Sequence, residues 1–427
     1  MTSTSAVGLI GVFLVDLVDI FFLSMLDSSA IISGVGFAAT ITFFTASISI
    51  GISISMGALV SFMIGQGNTD QAKQYVINIS VLAFALTSIL AGVIWLNLAW
   101  FLGLLGASGD SLAAGISYLQ IILPSLPLLA TGMAMSAALR AVGDAKLSMY
   151  STLMGGLVNA ILDPIFIFAF GWGLEGAAIA SVVSRFVLLF VAFYGISKKH
   201  SLLKAFFFKH FMDDLASIFK IAGPAILTNM ATPIGNAIVI FSLAKFGDAY
   251  VAAIAVIARL APVAFALVFA LSSAIAPIFG QNLGGKQYAR IKQTLSNAVL
   301  FNIVYVTLMS LVLFLSQDLL IKIFSLKDEA AAFMRLFCNY IAISFIFIGI
   351  QHIANAAFNN LGKPVYATWF NVGKSILGTL PFVFIGSQLL GAPGVLIGQA
   401  IGSALFGLTG IWVAKRLTDK IANTKSP

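Results

Sequence analysis

The sequence predicts an all-α integral membrane protein of about twelve transmembrane helices, arranged as two pseudo-symmetric six-helix lobes around a central cavity. Three observations predict it. First, 60% of the 427 residues are hydrophobic and 9% are charged, with a mean hydropathy of +1.05, where soluble domains are about 25% charged. A soluble enzyme is excluded. Second, the apolar residues form long continuous runs, which suit helices and not the short alternating segments of an outer-membrane barrel. Third, sequence motifs recur in the same order half a chain apart.

Taking loops from polar interruptions, the spans fall near 6–26, 31–65, 75–102, 112–141, 147–171, 174–198, 215–246, 249–280, 288–317, 328–361, 364–390 and 393–415. Alternate loops differ in charge. One set carries Lys73, Arg140 and Lys146, the cluster Lys198 to Lys220, Lys286 to Lys292, Lys363 and the tail from Lys415. The other carries Asp27, Asp110, Glu175 and Asp248, with a mixed exception around Lys327 to Glu329. The positive-inside rule puts the first set and both termini in the cytoplasm of a cell that holds the chain in its inner or plasma membrane. The net charge of +8 therefore reads as topology, not as nucleic-acid binding. No cleavable signal is expected, since the first run lacks a basic flank. The lone Cys338 allows no internal disulfide.

The longest basic connector, KKHSLLKAFFFKHFMDDLASIFK from Lys198, reads as an amphipathic helix on the inner membrane surface. It divides the chain into an N-terminal lobe (1–198), a cytoplasmic linker (199–220) and a C-terminal lobe with a short tail (221–427). The lobes resemble each other. IGQGNTDQAKQY from Ile64 pairs with FGQNLGGKQYARIK from Phe279, AALRAVGDAK from Ala137 with AAFNNLGKP from Ala356, and GLEGAAIAS from Gly173 with GAPGVLIGQ from Gly391. Such a duplication puts a substrate path between two halves that rock against each other.

The chemistry lies in intramembrane charges. Asp16 and Asp19, one helical turn apart in the first span, and Asp163 in the fifth are acids inside otherwise apolar runs, where a charge costs at least a few kcal/mol and marks an ion or substrate path by default. Asn159 shares a face with Asp163, and Pro164 removes a backbone donor beside it. Such carboxylates are candidate proton carriers; a helix cap or a static ion pair with Arg185 is the alternative. The second half has no central acid. Arg185, Arg259 and Lys374 are basic residues within spans that could face a substrate or brace a helix pair. Nucleotide hydrolysis is not expected, because the only GKS, at Gly373–Ser375, has Thr368 where a P-loop needs its first glycine. No metal site or cofactor is expected.

In order and spacing, VDIFFLSML, GQGN, ALRAVGDAK, NAILDPIFIF, GLEGAAIAS, GPAILTN and GQNLGG resemble the multidrug and toxic compound extrusion (MATE) family over essentially the whole chain. The resemblance implies a two-lobe antiporter that exports organic cations or other amphipathic molecules against inward H⁺ or Na⁺. It assigns the coupling site to Asp19, Asn159, Asp163 and Ser181, and leaves Asp16 as an additional acid without a role. Sodium-type members carry acids in the seventh and tenth spans. Neither is present here, so the chain looks like the DinF-like branch with first-lobe proton coupling. The first span contains no proline, so bending at a proline there is not implied. The expected protein is a monomeric H⁺-coupled exporter with Arg259 and Lys374 at the substrate cavity. A Na⁺-coupled exporter, a lipid-linked saccharide flippase and a non-transporting scaffold are the alternatives.

Overall fold

The structure, a computed structural model, describes residues 29–425 together with Gly8, Gly11 and Phe22. The first predicted span, with Asp16 and Asp19, lies outside the described residues apart from those three. Among the described residues all regular structure is helical. The first half comprises α1 (Ser29–Gly65), α2 (Thr69–Leu96), α3 (Leu98–Leu104), α4 (Gly109–Ile122), α5 (Leu126–Ala141), α6 (Ala145–Pro164) and α7 (Gly173–Tyr194). The connecting α8 (Phe208–Ala244) comes next, and then α9 (Asp248–Ala264), α10 (Ala266–Gly284), α11 (Tyr288–Ile323), α12 (Asp328–Leu336), α13 (Phe345–Asn360), α14 (Pro364–Gly373), α15 (Leu380–Leu390) and α16 (Ala392–Lys425).

Among the described residues eleven helical segments are long and apolar enough to cross a membrane, and each overlaps one of the eleven spans predicted after the first, the eighth (249–280) only through Ala266–Gly284. Several are helix pairs joined by a single tighter or wider turn, as at Leu123–Ser125 and Ala342–Ser344. Such irregular backbone survives at membrane depth only where other groups take up the freed carbonyls. The eighth span breaks at Phe265, just after Pro262, into α9 and α10.

The repeated turns share one geometry. Gly143 (φ +90°) and Gly362 (φ +79°) end their helices in the left-handed region. The next residue's N–H then reaches back to a helical carbonyl, Asp144 to Leu139 at 2.9 Å and Lys363 to Phe358 at 2.9 Å. The copies differ at the start of the next helix, because Asp144 caps α6 by accepting from the Leu147 N–H (3.1 Å) and Lys363 makes no side-chain cap.

Of the connector expected to be helical from Lys198 to Lys220, only the part from Phe208 forms the linker helix, since Lys198 and Lys199 end the preceding span and 201–207 has no regular structure. That part is the start of α8, which runs without interruption into the seventh span. Its basic sequence is docked by a buried acid. Asp214, 6% exposed, accepts from Gln74 (2.9 Å), Asn78 (2.8 Å) and Gln71 (3.4 Å) of α2. Contacts divide the chain within α8 into two compact units, one ending at Ile226 and the other beginning at Leu227. The first unit's largest core joins Ile52, Met56, Val76, Ile79 and Leu139. The second has one core around Leu243, Phe265, Phe333 and Phe337 and another around Phe279, Ile353 and Phe358.

Candidate functional site

In the first unit, α6 carries its polar groups on one buried face. Asn159 and Asp163, four residues apart, are 5% and 1% exposed, and Asn159 Nδ2 donates to Asp163 Oδ1 at 3.0 Å. Pro164 comes immediately after. It has no N–H to continue the ladder, and the chain leaves α6 through a wide turn in which the Phe170 N–H bonds the Ile165 carbonyl (2.9 Å) and the Trp172 N–H the Phe166 carbonyl (3.0 Å). The site is thus a carboxylate at a helix break, oriented by an amide one turn below it.

Helix α7 packs closely on α6 because Gly155 has no side chain; a Cβ there would sit 3.0 Å from the Ser184 carbonyl. Ser181 is on α7, half-buried, and its carbonyl accepts from Ser184 Oγ at 3.0 Å. Asn159 and Asp163 are therefore brought together, with Ser181 on the adjacent helix. Three described residues of the first span border α6 and the wide turn after it: Gly8 is against Met149, Gly11 against Leu153 and, in the turn, Phe22 against Phe168 (ring centroids 6.0 Å).

A second polar centre of this unit lies where α4 passes into α5. Pro124 has no N–H for the Gln120 carbonyl, which accepts from Trp95 Nε1 instead (3.2 Å). The Leu126 N–H turns to the Leu123 carbonyl, leaving the Ile122 carbonyl to accept from Ser125 Oγ (2.7 Å) and Arg185 Nη1 (3.0 Å). Arg185 Nη1 also donates to Ser125 Oγ at 2.8 Å. Arg185, from α7, and Thr42 and Thr45, from α1, share a cavity of about 380 Å³ with Ala46, Leu126 and Leu129.

In the turn between α5 and α6, Asp144 binds Lys199 Nζ (2.6 Å) and His200 Nε2 (2.8 Å) through one oxygen. Burial alone would raise its pKa. The hydrogen bonds from Lys199, His200 and the Leu147 N–H, with the Lys199 charge, outweigh it and bring the carboxyl down to about 2.

In the second unit the two predicted cavity cations differ. Arg259 is exposed on α9, and Lys374 is half-buried in the wide turn Lys374–Thr379, where it interacts electrostatically with His352. His352 in turn packs edge-on against Phe269 (5.2 Å). Among the described residues no three His, Cys, Asp or Glu side chains gather as metal ligands. The sequence offered Arg185 as one of three basic residues that could face a cavity, and Arg185 does line one; it did not show the dock around Asp214. The only signal for the dock was Gln71, Gln74 and Asn78 at helical spacing on one face.

Comparison with known proteins agrees with this architecture. The MatE family model matches twice, over residues 5–165 and 224–385, so the repeat seen in the motifs is a repeat of the whole domain. An FAD transporter of Shewanella oneidensis is 29% identical, over 99% of this chain and 95% of its own length. The multidrug export protein MepA of Staphylococcus saprophyticus is 24% identical over 96% and 91%. The crystal structure of the Vibrio cholerae MATE transporter VcmN in the bent form superimposes with a TM-score of 0.92 at 27% identity, covering 99% of this chain and 96% of that one. With the family model matching both halves of its membrane domain, the chain belongs to the MATE family of multi-pass membrane transporters.

Proposed function

We propose that this transporter is an H⁺-coupled exporter of small amphipathic molecules, working by alternating access with its coupling site in the first lobe. The observation that carries the reading is the pair of Asn159 and Asp163, a carboxylate 1% exposed and held by an amide at the proline break of α6. A proton arriving from outside neutralises Asp163, weakens its bond from Asn159 and changes the packing of α6 on α7. Bound substrate is displaced outward, and proton release inside restores the charge. Ser181, on α7, stands beside this path.

Asp19 is assigned to the same site by the family pattern. Its support is that Gly11 and Phe22, on either side of it in sequence, contact Leu153 and Phe168, on either side of Asp163. Asp16 has no assigned step. The basic loops support a cytoplasmic position for both termini, and the chain is proposed to act as a monomer in the lipid bilayer. Relatives named for FAD and for multidrug export make flavin nucleotides and amphipathic cations the first substrates to assay.

The test is proton release from purified protein in weak buffer when substrate is added, with and without Na⁺. Release from wild type that is unaffected by Na⁺ and absent in Asp163→Asn supports proton coupling at this site. Sodium-dependent substrate binding without proton release would replace it by Na⁺ coupling.

A further inference from the structure

We propose that the cavity of the first lobe binds an oxyanion of the transported molecule, a phosphate or a carboxylate, through the unoccupied edge of Arg185. The proposal rests on the exporter reading above and names a chemical class for its substrate. A guanidinium has five N–H donors in a planar fork. Arg185 spends only Nη1 on protein, on the Ile122 carbonyl and Ser125 Oγ. Nε and Nη2 have no acceptor among the described residues, and no carboxylate of the described residues forms an ion pair with Arg185. That edge is the one suited to bidentate binding of a phosphate or carboxylate.

The rest of the wall cannot neutralise the charge. Thr42 and Thr45 turn their hydroxyl protons to the Ala39 and Thr42 carbonyls (3.0 and 2.9 Å), and Ala46, Leu126 and Leu129 are apolar. An unneutralised cation beside apolar side chains at membrane depth is costly and is retained where it has a use. The cavity, at about 380 Å³, is within the range of small-molecule sites.

Bracing the helix break is not a sufficient use. The second half builds the same break without a cation, with Ser344 Oγ donating to the Ile341 carbonyl at 2.6 Å as Ser125 does to Ile122 at 2.7 Å. With Gly173 and Gly391 in register, the counterpart of Arg185 is Ser403, which is 3% exposed. The arginine is an addition to the architecture, and it lines a cavity.

The experiment compares riboflavin 5′-phosphate with riboflavin, which differ by one phosphate, by flavin fluorescence on the purified full chain in phosphatidylcholine nanodiscs. Wild type is expected to bind the phosphate ester about tenfold more tightly, the scale of one charge-assisted contact. Arg185→Gln should bring the two within about twofold, and Arg185→Lys should restore part of the difference, about threefold. Ala46→Phe, which leaves the arginine and its bonds in place and fills the cavity, should weaken both ligands about tenfold or more. Asp163→Asn should keep the preference and lose proton release, so failure of the coupling site and failure of this proposal give different results. Equal affinities in wild type, or a preference that survives Arg185→Gln, would overturn it. So would a preference that vanishes in phosphatidylglycerol nanodiscs, because the cavity would then be filled by lipid phosphate.

Discussion

The two halves of this transporter build the same broken helix and use it differently. Around Ile122–Ser125 the first half places a cavity and an arginine whose donors are mostly unspent. Around Ile341–Ser344 the second half packs phenyl rings, with Phe345 stacked on Phe265 at 4.2 Å and edge-on to Phe337 at 6.3 Å. The same contrast holds at the proline breaks. Buried Asp163 precedes Pro164 in the first half, and exposed Leu380 precedes Pro381 in the second. Duplication preserved the backbone devices, whose cost is satisfied locally by a serine and a tighter turn. Asp163 and Arg185 have no charged counterpart in the second half, which keeps a half-buried cation of its own at a different place, Lys374.

Swapping the distinguishing residues should sharpen the comparison. The largest effect is expected from Ser403→Arg, which puts an unpaired cation at a 3% exposed position and should cost about 3–5 kcal/mol; Arg185→Ser, the reverse change, should cost far less. Thermal unfolding in detergent reads both. Equal losses would mean that the arginine is a structural brace.

A smaller loss is expected at the dock of the connector. Asp214→Ala leaves the buried amide of Asn78 and the half-buried amide of Gln74 without their acceptor and should cost about 2–4 kcal/mol. Protease nicking in the stretch from Ser201 to Phe207 should rise in parallel, because the start of α8 loses its hold on α2. Unchanged cleavage would show that the rest of the interface suffices.

The smallest effect concerns the repeated turns. The carboxyl of Asp144 is held at about 2 against an ordinary 3.8. Folded protein therefore gains stability that is complete above about pH 4 and lost as pH falls from 4 towards 2, on the order of 2 kcal/mol or less since Lys199 is largely exposed. The difference in stability between wild type and Asp144→Asn should shrink over that interval. In the second half Lys363→Asp should add an N-cap worth about 1 kcal/mol; no gain would mean that the turn before α14 cannot accept one.

Much of this was legible in the sequence because hydropathy and charge are local signals. The spans from Ile31 onward, the paired turns at Gly143 and Gly362 and the face shared by Asn159 and Asp163 follow from composition and helical spacing alone. The cavity was not, since it depends on a carbonyl freed at Ile122 meeting an arginine some sixty residues later. Pro124 and Pro127 announce a disturbed helix, but not which side chain will satisfy it. The dock of Asp214 was hidden for the same reason. In a run of lysines and phenylalanines an aspartate reads as solvated, and its three amide partners lie 136–143 residues away.

The central claim, that coupling resides in the first lobe, is tested most directly by proton-driven efflux in reconstituted vesicles. Asp163→Asn is compared with Lys374→Gln, which removes the half-buried cation of the second lobe. Efflux driven by a pH gradient should be abolished in the first variant and retained in the second. Wild-type coupling in Asp163→Asn, or its loss only in Lys374→Gln, would contradict the claim.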